Sequence, residues 1–193
     1  MRVPCTKCGA EILPETFSRT GGLCMACKNG IRENIEGAKV YYQQMREYDP
    51  NRELWKSLVQ RVYHTDEGFA GLTTNEKIYY AVCCLNGEVY NGGMIQFFDN
   101  SSGTRYQMAV RGLETLEAKA VLELLLKAKV ILFDDRDPPE DTTLRRQLMR
   151  SGDEIEAAVG SIEEEFYKDP DQLGEKLKAF AETSGLVTPF LRN

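Results

Sequence analysis

Four cysteines constrain this chain more than any other feature. They read Cys5-Thr6-Lys7-Cys8 and Cys24-Met25-Ala26-Cys27, two C-x2-C pairs with fifteen residues between them. That is the spacing of a four-cysteine zinc site. Two residues between ligands let a tight knuckle present both sulfurs to one tetrahedral ion. Gly9 follows the first pair, and Gly21-Gly22 let the chain reverse before the second. Ile12, Leu13 and Phe17 supply most of the apolar material between the pairs. So small a segment folds only if a metal contributes the missing free energy. Residues 1–30 are therefore expected to form a zinc ribbon or knuckle module. Its ligands are Cys5, Cys8, Cys24 and Cys27, and its Zn2+ is structural, because four thiolates leave no open position for water.

A disulfide pair is the competing reading. The start Met1-Arg2-Val3-Pro4-Cys5 has no apolar signal region. The expected compartment is therefore the reducing cytoplasm, where disulfides are rare. A redox C-x-x-C would be a single pair beside a βαβ unit. Cys83 and Cys84 fall in a helical pattern and read as small buried hydrophobes.

Residues 31–193 carry a helical period. The first pattern runs from Ile31 to Tyr48, and Pro50 opens the next, through Leu54, Trp55, Leu58, Val59 and Val62. After Gly68-Phe69-Ala70-Gly71, Thr73 with Glu76 makes a capping box. Ile78, Val82, Leu85 and Val89 then mark one helix face. Asn91-Gly92-Gly93 and Asn100-Ser101-Ser102-Gly103 bracket Met94–Phe98. Ala109, Leu113, Leu116, Ala120 and Leu124 read as one further pattern, and 129–133 as its end or as a short strand. Beyond the break at 134–139, Asp141 or Thr142 starts a helix. Ile155, Val159, Ile162 and Phe166 define another, and Asp169-Pro170 begins the last. No run is long and apolar enough for a membrane span, and no repeat is visible. The fold class is an all-α, bundle-like domain over 31–193 behind a small four-cysteine zinc-binding module.

Charge is uneven. The chain carries 24 Lys+Arg and 30 Asp+Glu, a net −6. Residues 1–30 sum to +2, whereas 134–175 hold fourteen acidic and five basic residues. On a helix over 153–166 the apolar residues fall in one arc, and Asp153, Glu156, Glu163 and Glu164 lie on the flank and back. Carboxylates a turn apart stand about 5–6 Å from each other. Such a row imitates phosphates and attracts a basic groove. Asp134, Asp135 and Asp137 lack the spacing and the central glycine of a calcium loop.

The stretch Asn75-Glu76-Lys77-Ile78-Tyr79-Tyr80, then Glu88-Val89-Tyr90-Asn91-Gly92-Gly93-Met94-Ile95-Gln96-Phe97-Phe98, ends in Asp99-Asn100-Ser101-Ser102-Gly103. It resembles the signature of a bacterial family typified by a DNA-mimic protein. The similarity spans about residues 50–185, and the cysteine module lies outside it. The resemblance implies an all-α fold. For the protein that typifies the family, it implies a homodimer whose acidic face occupies the DNA site of a repressor. Read from the residues, Gly92 and Gly93 permit positive φ between two helices. Asn91, Gln96 and Asn100 satisfy open backbone groups, and Phe97 and Phe98 anchor packing. A second reading makes Glu88, Tyr90, Asn91 and Gln96 line a polar pocket.

Catalysis finds little support. His64 is the one histidine, beside Thr65 and Asp66, where it reads as a helix-end charge. There is no phosphate-loop or dinucleotide glycine motif. The expected function is a non-catalytic interaction protein whose acidic helical surface binds a basic partner, a DNA-binding protein or a toxin. Neutralising a toxin would make it an immunity or antitoxin-type protein. In a further alternative, the zinc module is a nucleic-acid adaptor using Lys7, Arg19, Lys28 and Arg32. The acidic body opposes that, since it repels phosphates, so neither direct nucleic-acid nor membrane binding is expected.

Overall fold

A computed structural model describes residues 2–44 and 48–188. The chain divides into two compact units, Met1–Asp49 and Pro50–Asn193. The first begins with a two-stranded antiparallel ribbon, β1 (Val3–Pro4) and β2 (Glu11–Ile12), in which Val3 pairs Ile12 and Pro4 pairs Glu11. Helix α1 (Pro14–Thr20) follows, with Pro14 in its first turn, where the missing N–H costs nothing. Short α2 (Met25–Lys28) begins on Cys24, and α3 (Arg32–Gln44) completes the described part. The expected extension of α3 to Tyr48 crosses residues 45–47, which lie outside the described residues. Cys5, Cys24 and Cys27 form the buried centre of this unit, with Ala10, Ile12, Leu23 and Ala26 packed around them.

The second unit is all helix: α4 (Pro50–His64), α5 (Thr74–Asp99), α6 (Tyr106–Thr115), α7 (Lys119–Phe133), α8 (Thr142–Leu148), α9 (Asp153–Phe166) and α10 (Leu173–Thr183), with 3-10 turns at Gly68–Gly71 and Ser101–Arg105. Helix α5 is central and meets α4, α6, α7, α8, α9 and α10. Ile78, Val82, Leu85 and Val89 are buried as expected, but Tyr79, Tyr80 and Ala81 are buried too. A helix covered on several sides loses its single apolar stripe. The capping box forms as read: Thr73 Oγ1 accepts from Glu76 N, and Glu76 Oε2 accepts from Thr73 N. Phe97 and Phe98 are fully buried, and Phe98 packs edge-on against Phe133 with ring centroids 5.3 Å apart. Burial of each such ring contributes about 1.5–3 kcal/mol.

Two boundaries depart from the sequence reading. The pattern from Ala109 to Leu124 is two helices, broken at 116–118, where Glu117 takes φ 52°. Ala118 and Val121, rather than Ala120, face the core. Lys176 Nζ donates to the Leu116 and Glu117 carbonyls, and Asp171 Oδ2 accepts from Val121 N. Two side chains distant in sequence thus cap a break that local periodicity steps across. The last helix starts at Leu173, not Asp169, because Asp171 is taken by α7 and Gln172 turns left-handed at φ 51°. Residues 129–133 finish α7 as helix.

Candidate functional site

The four cysteine sulfurs of the first unit lie within 4.8 Å of one another. Cys8 Sγ and Cys24 Sγ are 3.7 Å apart, whereas a disulfide needs about 2.05 Å. A tetrahedral ion with metal–sulfur bonds of about 2.3 Å sets neighbouring sulfurs about 3.8 Å apart. The cluster therefore fits one metal ion and no disulfide. Backbone amides shape the knuckles: Cys24 N donates to Cys5 Sγ at 3.1 Å, and Cys27 N to Cys24 Sγ at 3.4 Å. From the opening of α3, Arg32 Nη2 donates to Cys24 Sγ at 3.1 Å. This guanidinium lowers the Cys24 thiol to about 6, and the Cys24 amide lowers that of Cys5. Cys5, Cys24 and Cys27 are buried and Cys8 is exposed.

In the second unit, Asp153, Glu156 and Glu164 are exposed on α9, opposite Val159, Ile162 and Phe166. Among the described residues, none of the three forms an ion pair within the chain. They have different local origins. Helix α9 starts at Gly152 without a side-chain cap, so acidic Asp153, Glu154 and Glu156 offset its dipole. Glu163, Glu164 and Glu165 crowd the opposite end, where the dipole disfavours carboxylates. Glu165 is paired with Lys168 at 2.6 Å. Glu163 Oε1 accepts the Met94 N–H at 2.6 Å, so it serves the fold instead of standing free as expected. Among the described residues, Glu164 has no such partner. Elsewhere Asp134 is bound by Arg150 at 2.7 Å and Arg136 at 3.7 Å, which offsets that one carboxylate of the loop before α8.

The bond to Glu163 explains Gly93, while the Gln96 side chain fills the place of a Cβ at Gly92. Helix α5 kinks there, and the amide of Met94 opens its second half. Gly93 sits at φ 87° with the Glu163 carboxylate against it, so a side chain there is both strained and without room. Gly92 is extended at φ −169°, which corrects the expectation of positive φ at both.

Glu88 organises the far side of the kink. Its carboxylate accepts from Gln96 Nε2 at 2.7 Å, Asn100 Nδ2 at 2.9 Å and Ser102 Oγ at 2.6 Å. Gln96 and Asn100 thus serve a half-buried carboxylate, not open backbone groups. Asn91 is exposed and makes no side-chain hydrogen bond among the described residues. Glu88 and Asn91 line an open groove of about 440 Å³ with Trp55, Tyr63, Tyr80 and Ser102. Gln96 is outside that lining, and Tyr90 packs against Phe166 and Tyr167. The pocket foreseen from the four residues is therefore half assembled.

Burial alone would raise the Glu88 carboxyl, but its three donors outweigh burial and hold it below the ordinary 4.5. A depressed carboxyl stabilises the fold above its unfolded value and loses that contribution as pH falls through the folded one. The wild-type urea midpoint is therefore expected to drop below about pH 4.5 more steeply than that of Glu88→Gln. Parallel slopes would remove this role.

Sequence reading missed Arg145, a fully buried cation on α8. It donates through Nε to Phe98 O at 2.6 Å and through Nη2 to Asn100 O at 2.7 Å, while Nη1 reaches Pro139 O at 2.8 Å and Glu140 O at 3.1 Å. It thereby closes the C-terminal end of α5. His64 is exposed in the last turn of α4. Burial pushes the Cys83 and Cys84 thiols up to about 12, which makes both poor nucleophiles. Among the described residues, no helix is long and apolar enough to cross a membrane.

A family model described as DMP19-like protein matches residues 70–184, more than half of the chain. The match contains the Asn75–Gly103 signature and leaves the cysteine cluster outside. No curated protein and no solved structure matches the chain.

Proposed function

The chain belongs to the DMP19-like protein family, and from that membership we propose a non-catalytic, DNA-mimic-type regulator that binds a basic DNA-binding protein through α9. The observation that carries the reading is the exposed ridge of Asp153, Glu156 and Glu164, none of which is ion-paired among the described residues. Asp153 and Glu164 are eleven residues apart, about 16 Å along a rigid helix. A fixed row of negative charge suits a groove built for phosphates. Glu164 adds weight, since the helix dipole opposes it and no ion pair among the described residues offsets that. Family membership supports protein interaction over catalysis, as do the half-buried thiols of Cys83 and Cys84, raised by desolvation, and the solitary exposed histidine. The cysteine cluster holds Zn2+ as a structural ion, because four thiolates favour a soft tetrahedral metal.

Affinity capture from the source cell with wild type and with Asp153→Asn/Glu156→Gln/Glu164→Gln tests this. Wild type is expected to retain a basic DNA-binding protein that duplex DNA displaces, and the triple variant to lose it. Equal retention by both baits, or a captured partner indifferent to duplex DNA, would remove mimicry. A basic partner that DNA leaves in place would favour a neutralised toxin.

A further inference from the structure

Arg32 occupies an unfavourable position for a cation. It is the first residue of α3, the end where the helix dipole repels positive charge. Its guanidinium is nonetheless ordered: Nη1 donates to Glu36 Oε1 at 3.1 Å and Nη2 to Cys24 Sγ at 3.1 Å. Glu36 is in turn gripped by Lys39 at 3.0 Å, so a chain of charges runs along one face of α3 to a cluster sulfur. Arg32 Nε is buried without an acceptor. The side chain thus forfeits one donor and stays at the wrong helix end, which calls for a strong compensating attraction. Four thiolates around a divalent ion carry a net charge of −2, and Arg32 lies directly against one of them. We infer that Arg32 is a positioning residue of the metal centre: it holds the Cys24 sulfur at its corner and offsets the excess negative charge of the loaded cluster.

This rests on the cluster holding zinc, and the experiment separates the two. The full chain is titrated with Zn2+ against a chromophoric chelator, and Co2+-loaded samples are read by their sulfur-to-cobalt charge-transfer band. Arg32→Met is expected to bind one ion per chain, about 10–100-fold more weakly, as losses of outer-shell partners do. Without the hydrogen bond, the sulfur gives up charge more easily, so its band moves to lower energy. Arg32→Lys keeps the charge and should lose less than Arg32→Met. Lys39→Met, on the same face, should stay within about twofold of wild type. Wild-type affinity and an unshifted band in Arg32→Met would overturn the role of Arg32, as would equal losses in the Lys and Met variants. A wild-type chain that takes up no zinc would overturn the metal reading, and this inference with it. Circular dichroism accompanies each variant; should Arg32→Met lose its fold, Arg32→Lys decides through its own affinity and band position.

Discussion

Chelation is expected to unfold the first unit while the second stays folded. The buried centre of Met1–Asp49 consists of three cysteines with four small or partly buried neighbours. Its ribbon strands are two residues each, and α2 is a single turn. Nothing there offsets the chain entropy of ordering about thirty residues. The metal must do so, and its binding free energy is then the folding free energy of the module. Most described side chains of α3 are exposed, and an isolated helix of about this length is marginal in water. The second unit has its own core around α5. Amide hydrogen exchange of the full chain with and without chelator checks this. Protection at residues 5–27 should vanish on chelation, while α5 and α7 keep theirs, and Cys24→Ser should reproduce the pattern without chelator. Unchanged protection at residues 5–27 would mean that the module folds on something other than metal.

Arg145→Met should be the most damaging single change in the helical unit. The guanidinium is fully buried, and its donors serve four backbone carbonyls and Thr142 Oγ1. Burial lowers its pKa from the ordinary range, which registers the cost of desolvation. Methionine fills much of the volume but removes the side-chain donor from Phe98 O and Pro139 O, whereas Asn100 O keeps the Gly103 N–H and Glu140 lies at the surface. Each buried unsatisfied acceptor costs about 1–3 kcal/mol. Relaxation and water entry recover part, so a net loss of about 4 kcal/mol is expected. For a domain of this size that lowers the melting temperature by roughly 10 °C. Arg145→Lys keeps the charge but not the planar fork, and should fall between the two. Urea unfolding followed by circular dichroism gives the numbers. A loss below about 1 kcal/mol would show that the carbonyls find other partners.

Elements with local causes were legible in the sequence. The cysteine spacing, the Thr73–Glu76 box, the start of α4 at Pro50 and the apolar arc of α9 each rest on residues within a turn or two. The places that failed depend on distant partners. The break at 116–118 is capped by Lys176 and Asp171, some fifty to sixty residues away. Arg145 carries no local signal, because its acceptors, Phe98 and Asn100, lie over forty residues upstream. One signal was available: the end of α5 needs donors for its last carbonyls, and an arginine four residues after Asp141 is a candidate. Glu163 was misjudged for the same reason. Helical phase correctly placed it on the flank of α9, but phase says nothing about which flank meets the opened amide at Met94. Glu88 shows the converse, since Gln96 and Asn100 were read as serving open backbone groups when their first duty is to satisfy its carboxylate.

Under the proposed function, fixed carboxylates on α9 would displace counterions from a basic protein as phosphates do. Once a partner has been captured, its affinity should be measured by calorimetry across a range of salt concentrations, for wild type and for the Asp153→Asn/Glu156→Gln/Glu164→Gln variant. The account predicts that wild-type affinity falls steeply with salt, and that the variant binds more weakly at low salt with a slope shallower by about one to three. Identical slopes and affinities for the two chains would contradict it.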